Sequence, residues 1–122
     1  MSGGVWIKPP LVITDIDDTL ISTTTGQLHP IIVPMLVALQ RVVDVEVLTA
    51  RHQERMDETR AFLESIELNA VIRYNYEKES PWAFKMRSLR ELTATNSVLL
   101  LIDDDTEVLK YAQTLGIPTI LP

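Results

Sequence analysis

The chain contains no cysteine, which excludes disulfides, thiolate nucleophiles and cysteine-ligated metal centres. It has only two histidines, His29 and His52, too few for a three-histidine metal site. No apolar run approaches the ~20 residues of a membrane-spanning helix. The Met-Ser-Gly-Gly start is small and polar, unlike a signal peptide. The expectation is a soluble, cytoplasmic protein with no membrane partner. There is also no basic stripe of the kind that follows a nucleic-acid backbone. What is present is ordinary for a globular protein: 122 residues, 46% hydrophobic and 23% charged. That suffices for one domain spanning 1–122 with a buried core, residues 1–9 being a flexible N-terminal segment.

The net charge is −6, from 17 acidic and 11 basic residues. Its location is more telling than its size. Asp15, Asp17 and Asp18 form one cluster; Asp103, Asp104 and Asp105 form another. Without those six, 11 acidic residues face 11 basic ones, so the rest of the chain is neutral.

Continuous apolar, β-branched runs occupy residues 11–15, 42–49, 70–74, 97–102 and 117–121. Runs of this length without alternation read as strands covered on both faces. Helical patterns lie between them. Residues 31–41 carry an apolar face, with Pro34 in the first turn. Residues 53–66 set Met56, Phe62, Leu63 and Ile66 against a charged side. Ser80-Pro81 is a helix start, followed by Trp82, Lys85, Leu89 and Leu92 at helical spacing. Asp105 or Thr106 caps a last helix, which Gly116 stops. Residues 20–30 form a polar, flexible loop and 74–80 a shorter one. Alternating strands and helices predict an α/β, three-layer, Rossmann-like fold: a five-stranded parallel sheet with helices on both faces.

In such a sheet ligands bind beyond the carboxyl ends of the strands. Asp15, Thr49 and Asp103 fall at three of those ends, so the two acidic clusters are expected to converge. Converging carboxylates repel unless a cation sits among them. Oxygen-only donors favour a hard ion such as Mg²⁺. Lys85 lies in the apolar stripe of its helix. Such a lysine either snorkels at the stripe's edge or reaches over the strand ends to the aspartates.

These residues resemble the haloacid dehalogenase-like phosphohydrolases. Leu11-Val12-Ile13-Thr14-Asp15-Ile16-Asp17-Asp18-Thr19-Leu20 is similar to motif I, an apolar strand running into DxDxT. Val45-Glu46-Val47-Leu48-Thr49 is similar to motif II, Lys85 suits motif III, and Leu100-Leu101-Ile102-Asp103-Asp104 resembles motif IV. The four occur in the family's order. Thr49-Ala50-Arg51, Thr59, Phe62-Leu63 and the stretch after Asp103 further resemble the phosphatase domain of polynucleotide kinase–phosphatases.

The resemblance implies a Mg²⁺-dependent phosphatase acting through an aspartyl-phosphate. Asp15 would be the nucleophile and Asp17 the general acid and base. Thr49 would hydrogen-bond a phosphoryl oxygen, and Lys85 would neutralise charge. Asp15, the main-chain carbonyl of Asp17, and Asp103 and Asp104 would hold the metal. The family often has glycine where this chain has Asp18. That carboxylate either supports the metal site from behind or serves a turn, the turn being favoured. Of the three consecutive aspartates, Asp103 and Asp104 are preferred as ligands and Asp105 as a helix cap.

Neither loop is long enough to build a cap domain, so the site is expected to be open. The resemblance then favours a bulky substrate, first a nucleic-acid or nucleotide phosphate end, as in 3′-phosphatases. A small phosphorylated metabolite and a phosphoprotein are the alternatives. Arg51, His52 and Arg55 either touch substrate or form ion pairs with Glu54 and Glu58 in a solvated helical turn. Tyr74, Tyr76 and Trp82 either stack on a base or take a rim or core role. His29 is a loop residue. Two other classes compete. A receiver-like signalling domain would need an aspartate at the end of the third strand, where the sequence has Arg73-Tyr74-Asn75. A catalytically silent binding module would not need Asp15, Asp17, Thr49 and Lys85 together.

Overall fold

The structure is a computed structural model that describes residues 8–122. Most of the expected N-terminal segment, residues 1–7, lies outside the described residues. From Pro9 the chain joins the sheet, its carbonyl accepting a hydrogen bond from Ser97 N at 2.9 Å. The elements run β1 (Pro10–Thr14), α1 (Ile32–Leu39), β2 (Asp44–Leu48), α2 (Met56–Ser65), β3 (Val71–Arg73), α3 (Pro81–Thr95), β4 (Ser97–Ile102), α4 (Thr106–Thr114) and β5 (Thr119–Ile120). The five strands form one parallel sheet in the order β3-β2-β1-β4-β5. This is the expected α/β architecture, with no cap domain among the described residues.

The order explains where a site can form. The chain builds outward from β1 to β3, then crosses back through α3 to start β4 on the other side of β1. The topological switch point therefore lies between β1 and β4. A receiver-type order would place β3 beside β1; here β2 and β4 flank β1.

Side-chain parity sets the two cores. Leu11 and Ile13 of β1, Leu48 of β2 and Leu101 of β4 pack under α3 and α4, against Phe84, Leu89, Leu92, Val108 and Ala112. Val12, Val45, Val47 and Ile102 face the other way, against Ile32, Leu36, Leu63 and Ile66 of the α1–α2 layer. Burial on both faces is why the strands read as unbroken apolar runs. It also stabilises each fully buried aliphatic side chain by about 1.5–3 kcal/mol over exposure.

Local chemistry ends the elements. Ser80 Oγ accepts from Ala83 N at 3.3 Å, with Pro81 in the first turn of α3. Asp105 Oδ1 accepts from Glu107 N at 2.9 Å and caps α4. Gly116 follows α4 at φ 79°, a left-handed position that glycine takes without a Cβ clash. His29, read only as a loop residue, has a structural task. Its Nδ1 accepts from Ile31 N and Ile32 N and serves the start of α1.

Two expectations change. The helical pattern over 53–66 divides into a 3₁₀ turn, Gln53–Arg55, and α2, so the approach to α2 is tighter than a continuous helix. Trp82 does not share the buried stripe of α3. It is 52% exposed, while Lys85, Leu89 and Leu92 turn inward together with Phe84, Met86 and Ser88.

The cap on α4 makes a simple prediction. Asp105→Ala leaves the Glu107 N–H without its acceptor and lowers the unfolding free energy by about 1 kcal/mol. Urea denaturation measures it.

Candidate active site

Parity carries past the strand ends. Asp15 follows β1 in the same phase as Leu11 and Ile13, and Asp103 follows β4 in the phase of Leu101. Both carboxylates therefore emerge on the α3 side of the sheet. Backbone bonds fix their stems: Asp15 N donates to Ile102 O at 2.9 Å, and Asp103 N to Ile120 O at 3.3 Å. Lys85, one turn into α3, meets them. Its Nζ lies 2.7 Å from Asp103 Oδ2 and 3.3 Å from Asp15 Oδ2. All three residues are buried, Lys85 being only 5% exposed. The reaching reading of Lys85 is the one observed.

Asp104 completes the group. Carboxylate oxygens of Asp15, Asp103 and Asp104 lie within 4.8 Å of one another. Asp103 is tethered at both oxygens, Oδ2 to Lys85 and Oδ1 to Asp105 N at 2.9 Å, whereas Asp104 is exposed.

The charges do not balance. One ammonium faces two buried carboxylates and a third at the surface. Burial pushes the Asp15 carboxyl up to about 7; Lys85 opposes the shift and the Asp103 charge adds to it. Asp103 is raised too, chiefly by burial. Burial works against the Lys85 ammonium, but Asp15 and Asp103 outweigh it and hold its pKa above the usual value. The cluster is therefore short of positive charge, and it offers only oxygen donors. Both features fit a hard divalent cation held by Asp15, Asp103 and Asp104.

Asp17 stands outside this group. Its carboxylate is gripped by the Arg51 guanidinium, Nε to Oδ2 at 2.9 Å and Nη2 to Oδ1 at 2.6 Å. This two-point bond keeps its pKa below the ordinary carboxylate value. Arg51 also donates to Thr59 Oγ1 at 3.1 Å, and its side chain is only 8% exposed. It is thus not the solvated partner of Glu54 or Glu58 that a bland reading of the sequence allows. Arg55 is that kind of residue, paired to Glu58 at 2.7 Å. His52, half-exposed, stands 4.0 Å from Glu54.

Thr49 is buried directly after β2. Its hydroxyl accepts from Arg51 N at 3.1 Å, so the Thr49–Arg51 turn is set by its own side chain. Asp18 is a turn residue. It sits at φ 59°, and its carboxylate accepts from Thr23 N and Thr23 Oγ1, both at 2.8 Å. The 20–30 loop is not the loose segment its polarity suggests. Single bridges join Asp17 to Ile21 and Ile21 to Leu28, folding it back beside the site.

With that geometry in place, the likeness to solved structures carries weight. Two chains, from structures described as the Pnkp1/Rnl/Hen1 RNA repair complex and the Pnkp1/Rnl/Hen1 complex, superpose with TM-scores of 0.79 and 0.76, at 20% and 19% identity. Both matches cover 94% of this chain, but only 42% and 46% of the respective partners. The chain thus spans less than half the length of those chains, and at this identity the likeness is one of fold. No sequence family and no curated protein matches the chain.

The raised pKa of Asp15 predicts a pH effect. The folded state holds this proton more tightly than the unfolded chain. Its contribution to stability is therefore full below pH ~4 and is lost as pH rises through about 7. In chelator-treated protein, urea stability should fall between pH 5 and 8, and Asp15→Asn should flatten that fall.

Proposed function

We propose that the protein is a Mg²⁺-dependent phosphomonoesterase working through an aspartyl-phosphate on Asp15, with a nucleic-acid or nucleotide phosphate end as substrate. The observation that carries this reading is the buried Lys85 bridging Asp15 and Asp103 at the switch point, with Asp104 beside them. A structural ion pair needs one carboxylate per lysine. Three carboxylates around one lysine are costly to fold, and they suit a site that receives a cation and a phosphate together.

Asp15, Asp103, Asp104 and the main-chain carbonyl of Asp17 would hold the Mg²⁺, whose charge screens an anionic phosphate from an anionic nucleophile. An Asp15 oxygen attacks phosphorus, and the ester oxygen leaves. Asp17 delivers the proton to that leaving oxygen, then takes one from the water that attacks the aspartyl-phosphate. Thr49 hydrogen-bonds a phosphoryl oxygen. Lys85 orients Asp15 and offsets the charge that builds on the transferred group.

Arg51 tunes Asp17. Its two-point grip keeps Asp17 ionised while the site waits, so the grip has to slacken before Asp17 can carry a proton. Arg51 therefore acts through Asp17, as a positioning residue, and Arg55, held by Glu58, is the more open of the two arginines to substrate. The open mouth, bounded by the short 20–30 and 74–80 loops, favours a bulky substrate over a small enclosed metabolite. The likeness of fold to chains of an RNA repair complex supports the nucleic-acid choice.

Phosphate release from a 3′-phosphorylated oligonucleotide in Mg²⁺ tests the function. Turnover should disappear with chelator and with Asp15→Asn, while the folded state persists. Release that survives in Asp15→Asn would overturn the aspartyl-phosphate route. Arg51→Ala should lower kcat by about 10²-fold and raise the pH at which the Asp17-dependent limb of the pH–rate profile turns over. An unchanged profile would remove Arg51 from the account.

A further inference from the structure

Resting on the phosphatase reading, we infer that Tyr76 is a stacking platform for the nucleobase next to the phosphate being removed. Tyr76 follows the edge strand β3 at its carboxyl end, the end of the sheet at which Asp15 and Thr49 follow β1 and β2. It is 54% exposed; Trp82, at 52%, is the other aromatic more than half exposed among the described residues.

The ring is held, not loose. Tyr74, 2% exposed, meets it edge-on, with centroids 5.9 Å apart and planes at 78°. That contact holds the ring on one side, and more than half of the Tyr76 side chain stays open to solvent. Asn75 between them is buried and closes the loop on itself. Its Nδ2 donates to Glu79 O at 2.6 Å, and its Oδ1 accepts from Glu79 N at 2.9 Å.

The platform is also wired to the catalytic side. Asn75 N donates to Arg51 O at 3.3 Å, and the Arg51 guanidinium holds Asp17. Tyr76 is thus one residue from a backbone bond to the residue that positions the general acid. A pre-positioned ring beside a reaction centre stacks on a planar group at little cost in ordering.

Charge selects a base over a phosphate backbone. A groove of about 370 Å³ opens beside Tyr76. Its two arginines are already committed, Arg73 to Glu46 and Glu91, and Arg87 to Glu79 and Glu91. Among the lining residues two glutamates, Glu46 and Glu77, match those two arginines, so the groove offers no uncommitted cation to a phosphate chain. A base is neutral, and its exocyclic amino groups find acceptors in carboxylates. This accounts for an end-processing site in a protein with no basic stripe: one stacked base replaces a row of phosphate contacts. Of the two tyrosines, Tyr74 takes the core role that its sequence also allowed and is the buried support.

The test compares two 3′-phosphorylated oligonucleotides of equal length, one with a normal terminal nucleotide and one with an abasic terminus, in Mg²⁺. The quantity read is the ratio of kcat/KM between them. Wild type should favour the base-bearing end by about fivefold or more. Tyr76→Ala should bring the ratio towards one, and Tyr76→Phe, which keeps the ring, should preserve it. Equal turnover of both ends by wild type, or a ratio unmoved in Tyr76→Ala, overturns the stacking proposal and leaves the phosphatase standing. No turnover of any phosphomonoester, mononucleotide and aryl phosphate included, overturns the phosphatase reading and this one with it.

Discussion

The contact of Lys85 with Asp15 and Asp103 is the constraint on which the rest of the structure turns. It joins three elements far apart in sequence: the end of β1, the first turns of α3 and the end of β4. Bringing them together requires β1 and β4 to be neighbours, which the return through α3 achieves. Such a cluster is poor material for stability. Desolvating three ionised groups costs about as much as their attraction returns, and an apolar trio of the same volume would hold the fold as well. In the proposed phosphatase, that cost would prepare the site for a charged substrate and a cation.

Arg51 is a second hub, of a different kind. It binds Asp17 through its side chain, Thr59 of α2 through the same guanidinium, and Asn75 through its carbonyl. The turn after β2, the start of α2 and the loop after β3 are thereby set relative to the 15–18 turn. A displacement at any of these is felt by Asp17. The site is thus built from two charge systems, one buried and short of cations, the other half-exposed and satisfied.

Much of this was readable in the sequence, for identifiable reasons. Strands buried on both faces advertise themselves as apolar runs, so the five-stranded parallel sheet follows from composition and spacing. Lys85 stood out because a lysine in an apolar stripe needs a partner. Asp18 and Asp105 could be separated from the other aspartates by turn and cap chemistry. What could not be read depends on side-chain direction. Nothing in the spacing says that Arg51 turns back onto Asp17 across 34 positions. Nor does helical periodicity show that Trp82 faces solvent while Lys85 does not, because the first turn of a helix projects past the sheet it covers. Tyr74 and Tyr76 look alike in sequence; their two-residue spacing puts one under the loop and the other on it. His29 gave no signal, since an imidazole accepting backbone bonds at a helix start follows no common capping pattern.

The central claim is that the buried cluster is short of positive charge and completed by a hard cation. Thermal unfolding against Mg²⁺ concentration, for wild type and for Asp15→Asn in parallel, tests it most directly. A cation that binds only the folded site must raise Tm with concentration. The account predicts that rise at millimolar Mg²⁺ in wild type and its loss in Asp15→Asn. A wild-type Tm that does not move, or an Asp15→Asn variant that responds equally, would contradict it.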